Sequence, residues 1–206
     1  MRFKFLLILV FLFMFLSLVA QESKMKKFKQ LSAPEKCWVL FHSFVAKKAL
    51  IIAEEARKIT AEIKKDKLLK GNGNGGQIDA FRHTYWMARL TQQIGWRRAK
   101  SLGKAHEKGN FKDYKKHRIE DGVVPDKVSS DMDLFNNDVG IKIGKMTDTF
   151  EFKYIVIDAV KEGRCKIIKI DKNGNFLDIE ENIIPIELLK GKWENEKCLV
   201  KSDWSD

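Results

Sequence analysis

Apolar residues recur at threes and fours along the first third of the chain. Trp38, Phe41, Val45, Ala49, Ile52, Ala56, Ile59 and Ile63 share one face when the backbone is wound as an α-helix. The pattern predicts one long helix from Ser32-Ala33-Pro34-Glu35 to about Lys67. Its start carries three signals: a capping serine, a proline in the first turn and an acid at the positive end of the helix dipole. The pattern stops at Gly71-Asn72-Gly73-Asn74-Gly75-Gly76, which reads as a flexible connector. A glycine-rich turn before a helix can cradle an anion, but here no strand precedes it and no Walker lysine follows, which excludes a P-loop.

Helical spacing resumes at Gln77 and extends towards Glu107, with a kink or break expected at Gly95. Phe111 to Pro125 is charged and irregular and reads as a loop with a short helical turn. Val128-Ser129-Ser130-Asp131 caps a further helix, about Met132 to Lys145, and Phe150 to Lys161 continues helically. The pattern then changes. Runs rich in β-branched residues, Cys165 to Ile170 and Phe176 to Ile179, flank Asp171-Lys172-Asn173-Gly174-Asn175. Asn-Gly between such runs predicts a β-hairpin, about 164–180. The expected fold class is mainly α, a helical body of three or more helices with a small C-terminal β-hairpin. A single domain is expected over 21–206, and the last residues, with Trp193 and Trp204, give no clear element.

The N-terminus changes the picture of location. Arg2 and Lys4 precede an uncharged, apolar run from Phe5 to Val19, then Ala20, and charge resumes at Glu22. That order predicts a signal peptide over 1–20, and so a periplasmic or secreted protein. The alternative is a membrane anchor through an uncleaved segment. The run is about 15 residues, short of the roughly 20 that span a bilayer comfortably. No later stretch is apolar enough for a transmembrane span, so none is expected in the mature chain. The net charge of +11 is spread from end to end without an arginine-rich stripe. It suits an anionic envelope component as partner and argues against nucleic acid. Cys37, Cys165 and Cys198 show no CxxC spacing, which argues against a cysteine zinc site. In an oxidising compartment Cys165 and Cys198 could pair, leaving Cys37 as a buried thiol.

Three stretches place polar groups among apolar neighbours. In Asp79-Ala80-Phe81-Arg82-His83-Thr84-Tyr85-Trp86, Asp79 and His83 are four apart and share a helix face, as are Arg82 and Trp86. A carboxylate there can orient the imidazole, or both can bind one metal ion. His106-Glu107 is the second stretch. In the third, Met132 to Gly140, Asp133 and Asn137 share a face and Asn136 lies one step round it. Two asparagines inside a helix are costly and need compensating bonds or a ligand.

Taken together the stretches resemble a bacterial domain-of-unknown-function family, DUF6973. Its pattern is Asp-Ala-Phe-Arg-His-x-x-Trp, then His-Glu, then Met-Asp-Leu-x-Asn-Asn-x-x-Gly. This sequence matches at Asp79 to His83 and Trp86, at His106-Glu107, and at Met132 to Leu134, Asn136-Asn137 and Gly140. The resemblance implies a domain core over about 71–147 and carries no mechanism. It is also similar to domains at the ends of larger secreted proteins.

The residues themselves suggest a hydrolase-like site. Asp79, Arg82, His83, His106, Glu107 and Asp133 are the candidate catalytic groups. Trp86, Asn136 and Asn137 are the candidate substrate contacts. His83, His106 and Asp133 could bind a divalent metal such as zinc, which would activate water. Neither HExxH nor GxSxG occurs, so a zincin or an α/β-hydrolase is not supported. The competing reading is a non-catalytic envelope or secreted binding protein, in which the same groups form a structural network. On a straight helix His83 and His106 would lie about 35 Å apart, so a shared site requires the chain to fold back near Gly95. His42 and His117 read as solvated polar residues, and Asp171 to Asn175 as a turn rather than a calcium loop.

Overall fold

The helix that begins at Gln77 carries buried residues on nearly every side, and it forms the axis of the fold. The computed structural model describes residues 25–71, 73–117, 124–147 and 152–205. The expected signal peptide over 1–20 lies outside them. Residues 25–30 are helical, and the helices that follow are α1 (Ala33–Phe41), α2 (Ser43–Lys65), α3 (Gln77–Ile94), α4 (Trp96–Lys115), α5 (Lys127–Met146) and α6 (Phe152–Lys161). Strand β1 (Lys166–Ile168), a one-turn helix α7 (Ile186–Leu189) and strand β2 (Leu199–Lys201) complete the chain. The fold is thus mainly helical with a small antiparallel sheet near its C-terminal end.

Helix α3 packs against α2, α4, α5, α6 and β1. One side of the core joins Ile63, Phe81, Phe152, Val156 and Val160. The other joins Trp38, Ile52, Met87, Leu90 and Leu102, with half-buried Trp86 against both. The closest approach is between α3 and α5. A Cβ on Gly140 would lie 2.2 Å from the Thr84 carbonyl oxygen, and one on Gly144 would lie 2.5 Å from that of Ala88. Two glycines four apart let the α5 backbone rest directly on the α3 backbone.

The single long first helix is two. His42 (φ −125°, ψ 35°) closes α1 and opens α2. Trp38 leaves the shared stripe to pack on α4, where its Nε1 donates to Ser101 Oγ at 2.8 Å. The turn ejects Phe41, which is 82% exposed rather than buried. Cys37 is exposed as well, contrary to expectation, because it faces outward one step from Trp38.

The glycine-rich stretch is fixed where it meets α3. Gly75 has φ +82°, is buried, and its carbonyl accepts from the Ile168 N–H at 2.8 Å. Gly95, at φ +85°, separates α3 from α4 at the expected place, and α4 runs on to Lys115. Helix α5 starts a turn earlier than expected, because the Asp126 carboxylate accepts from the Ser129 N–H and takes the capping role given to the stretch Val128-Ser129-Ser130-Asp131.

The Asn173-Gly174 turn forms, with Gly174 at φ +85° and a bridge between Ile170 and Phe176. Asp171 holds it by accepting from Asn173 N, Asn175 N and Asn175 Nδ2. A second turn on Asp178 and Asn182 follows at once and diverts the returning run. The place beside β1 is therefore taken by β2, with Lys166 opposite Lys201. All three cysteines are free: Cys165 Sγ lies 3.4 Å from Thr84 Oγ1, and Cys198 Sγ points to the Leu177 carbonyl. No helix among the described residues is long and apolar enough to cross a membrane.

Candidate active site

One turn of α3 separates Asp79 from His83, and both face α5. The Gly75 N–H donates to Asp79 Oδ2 at 2.7 Å, and Arg82 Nη2 donates to Asp79 Oδ1 at 2.8 Å. The close α3–α5 crossing brings Asp133 to the same spot. His83 Nε2 lies 3.3 Å from Asp133 Oδ1 and 3.6 Å from Asp79 Oδ1. One ligand-type atom from each of Asp79, His83 and Asp133 falls within 4.8 Å of the others, and all three residues are buried.

Burial pushes the His83 pKa well below its ordinary value, the positive charges of Arg82 and His106 push it further, and the Asn137 amide offsets part of this. His83 is therefore a neutral imidazole at neutral pH. Its Nδ1 faces Asn137 without a well-formed hydrogen bond, and the Asn137 amide makes none elsewhere.

The reversal at Gly95 carries α4 back beside α3. The His106 ring centroid lies 6.3 Å from that of His83 and 5.7 Å from that of Trp86. Gly109 explains what His106 bonds to. Its missing side chain admits Ser32, whose Oγ would lie 2.5 Å from a Cβ there, so the start of α1 docks on α4. Glu35, whose Oε2 accepts from the Ser32 N–H, then meets His106 Nδ1 with Oε1 at 3.0 Å. Burial would raise the Glu35 pKa, but the hydrogen bond and charge of His106, with the bonds from Ser32, outweigh it and hold the group at about 2.

The geometry divides the expected site residues. His106 is outside the three-residue cluster, which has Asp79 as its third member, and its Nδ1 is turned to Glu35. Asn136 is fully buried, and its amide is used by the backbone of Lys166, Nδ2 donating to the carbonyl at 3.0 Å and Oδ1 accepting from the N–H at 2.9 Å. It fastens β1 to α5 and is not available to a substrate. Glu107 is buried behind the site, where Oε2 accepts from Ser130 Oγ at 2.8 Å and from Asn110 Nδ2 at 3.2 Å. It positions α5 against α4. Trp86 sets its ring edge-on to both His83 and His106.

A partly open cleft of about 80 Å³ lies over the cluster. Asp79, Arg82, His83, His106 and Asp133 form its floor with Asn110 and Ser130, and Ile168, Phe176 and Lys197 form an outer wall. Lys197 is itself held by an ion pair with Asp126. Residues 36–166 match the family DUF6973, a domain of unknown function. The chain belongs to that family. The match begins in α1 and ends at the first residue of β1, so the DUF6973 region holds the whole cluster, while Ile168, Phe176 and Lys197 lie beyond it. No curated protein and no solved structure matches the chain.

Glu35, Gly75, Asn110 and Ser130 were not expected at the site, nor were Ile168, Phe176 and Lys197 of the outer wall. Ser32 and Glu35 do form the capping box whose serine and acid were legible, but that signal is local and says nothing of His106, 71 positions away.

Proposed function

We propose that this DUF6973 protein is an exported hydrolase in which Asp79, His83 and Asp133 hold a divalent metal ion that activates water. One observation carries the reading. A tetrahedral ion with ligands at about 2.1 Å separates its ligand atoms by about 3.4 Å. The distances from His83 Nε2 to the two carboxylate oxygens, 3.3 and 3.6 Å, match two of the three edges, and the ligand atoms all lie within 4.8 Å of one another. Two carboxylates and one imidazole are a donor set suited to zinc or manganese. The neutral state of His83 is the one that binds metal. The cleft leaves one side of the cluster for water and substrate, and Arg82 in its lining offers a cation to an anionic group of the substrate.

Calorimetric titration of the metal-stripped protein with zinc and with manganese tests this. Saturable binding of one ion per chain, lost in His83→Ala, is the expected result; heats no larger than dilution for both ions would overturn it. Export is tested separately by mass spectrometry of the mature protein, which should begin at Gln21 or within a few residues of it. A second reading, a metal-free structural network, is favoured by one contact: the Arg82 guanidinium already places a positive charge on Asp79 Oδ1. In that case Arg82 takes the part of the ion, and binding of metal is absent.

A further inference from the structure

The corner between α1 and α2 puts large apolar side chains into solvent. Leu40 is 70% exposed, Phe41 82% and Phe44 fully exposed, and Ile51 continues the face two turns along α2. A soluble surface ordinarily scatters such residues singly. Here three fall within five positions on either side of the His42 break. The corner protrudes: the Phe44 side chain is wholly in solvent, while Trp38 of α1 and Ala49, Ile52, Ala56 and Ile63 of α2 are buried.

The charge around the corner is of one sign. No Asp or Glu occurs from Lys36 to Ala53, whereas Lys36, Lys47 and Lys48 all lie in that stretch. Lys47 and Lys48 are exposed, and no ion pair involving either is seen among the described residues. On α2, Phe44, Lys48 and Ile51 follow one another at helical spacing, so apolar and cationic groups share a face. An exposed apolar tip with lysines beside it is the arrangement that enters the interface of an anionic bilayer: the rings replace water with acyl chain and the ammonium groups meet headgroup phosphates. A binding groove on another protein would have to be concave to receive the tip and acidic to meet the lysines; a lipid surface needs only the negative charge.

From this we infer that the α1–α2 corner is a docking surface for an anionic lipid bilayer, with Phe41 and Phe44 inserted at the interface and Lys36, Lys47 and Lys48 on the headgroups. The inference does not depend on the metal-site reading, since none of these residues lines the cleft.

The test places a reporter at the tip. Phe44→Trp is made in the full chain, with its N-terminus determined by mass spectrometry, and mixed with vesicles containing brominated lipid. The fluorescence added by the new tryptophan, over that of the parent protein, should be quenched on vesicles with anionic lipid and not on purely zwitterionic ones. Lys47→Glu with Lys48→Glu should weaken partitioning onto anionic vesicles about thirtyfold or more, at roughly fivefold per lysine lost from the surface. Phe41→Ser with Phe44→Ser should weaken it similarly while the far-ultraviolet dichroism stays unchanged. Unquenched fluorescence from the added indole overturns the inference even if the protein sediments with vesicles, because the attachment is then made elsewhere, as by an N-terminal apolar segment. A concentration-dependent dimer abolished by the serine substitutions would also overturn it, and would assign the corner to a second copy of the chain.

Discussion

Gly140 on α5 lies so close to Thr84 on α3 that a methyl group on it would stand 2.2 Å from the Thr84 carbonyl oxygen. The obstructing atom is backbone within the central helix, so no rotamer change relieves it. The crossing that this contact allows is also what carries Asp133 to His83, the residue next to Thr84 on α3.

Gly140→Ala should therefore destabilise the protein by about 3 kcal/mol or more, at the upper end for overpacking, and displace Asp133 from His83 in whatever fold survives. Gly174→Val is the control. Gly174 has open space around it and only its φ of +85° to defend, so the cost should be about 1–2 kcal/mol. Urea denaturation of both variants checks the order; a milder effect at Gly140 than at Gly174 would contradict the packing account.

How much of this was legible follows from distance along the chain. Asp79 with His83, and Asp133 with Asn137, share faces by helical spacing alone, and Gly95 announced the reversal that joins α4 to α3. The conflict over His42 was also local in origin but not in outcome: the apolar stripe through Trp38 and Phe41 was real, yet Trp38 found Ser101 on α4 and the stripe broke. Two features rested on partners with no sequence mark. Lys201 beside Lys166 could not be foreseen, because a strong turn at Asn173-Gly174 pointed to a nearer partner. The costly Asn136-Asn137 pair was a fair sign of compensation, but only the structure separates their fates: Asn136 bonded to a strand backbone, Asn137 facing His83.

Asn136→Ala should cost about 2–4 kcal/mol, because it leaves both the N–H and the carbonyl of Lys166 without their buried partner. Asn137→Ala removes no well-formed hydrogen bond and should cost clearly less. Denaturation midpoints of the two variants, measured side by side, decide this, and equal losses would mean that Asn137 is as much a structural clamp as its neighbour.

The Glu35–His106 contact gives the protein a marked acid sensitivity. Glu35 is held at about 2 in the fold and returns to about 4.5 when unfolded. Its contribution is complete above the unfolded value and disappears as pH falls from about 4.5 to 2, because protonation then favours the unfolded chain. The shift corresponds to roughly 3 kcal/mol. Glu35→Gln should be less stable than the parent at pH 5 and lose less on acidification, so that the two denaturation curves converge near pH 2. Parallel curves across that interval would show that His106 does not hold the carboxylate.

Asp133→Asn separates the metal site from a metal-free network by the sign of its effect. In the metal reading, Asp79 and Asp133 are two like charges drawn together for an ion, and in its absence they repel across a gap of 4.8 Å or less. Neutralising one should leave the metal-stripped protein as stable as before or more so, as is common where a site is strained for function. The same change removes a charged ligand, so zinc should no longer protect the fold. The parent, at an ion concentration about 100 times its dissociation constant, should gain about 2.7 kcal/mol, and the variant little of it. In the network reading Asp133 is instead a bonded partner of His83. Losing its charge then destabilises the protein by about 1–3 kcal/mol with or without zinc. Thermal melts of the parent and Asp133→Asn, each with and without zinc, give four midpoints. A variant that melts lower than the parent under both conditions, beside a parent that zinc does not shift, would remove the metal ion from the account and leave Arg82, Asp79, His83 and Asp133 as a structural knot.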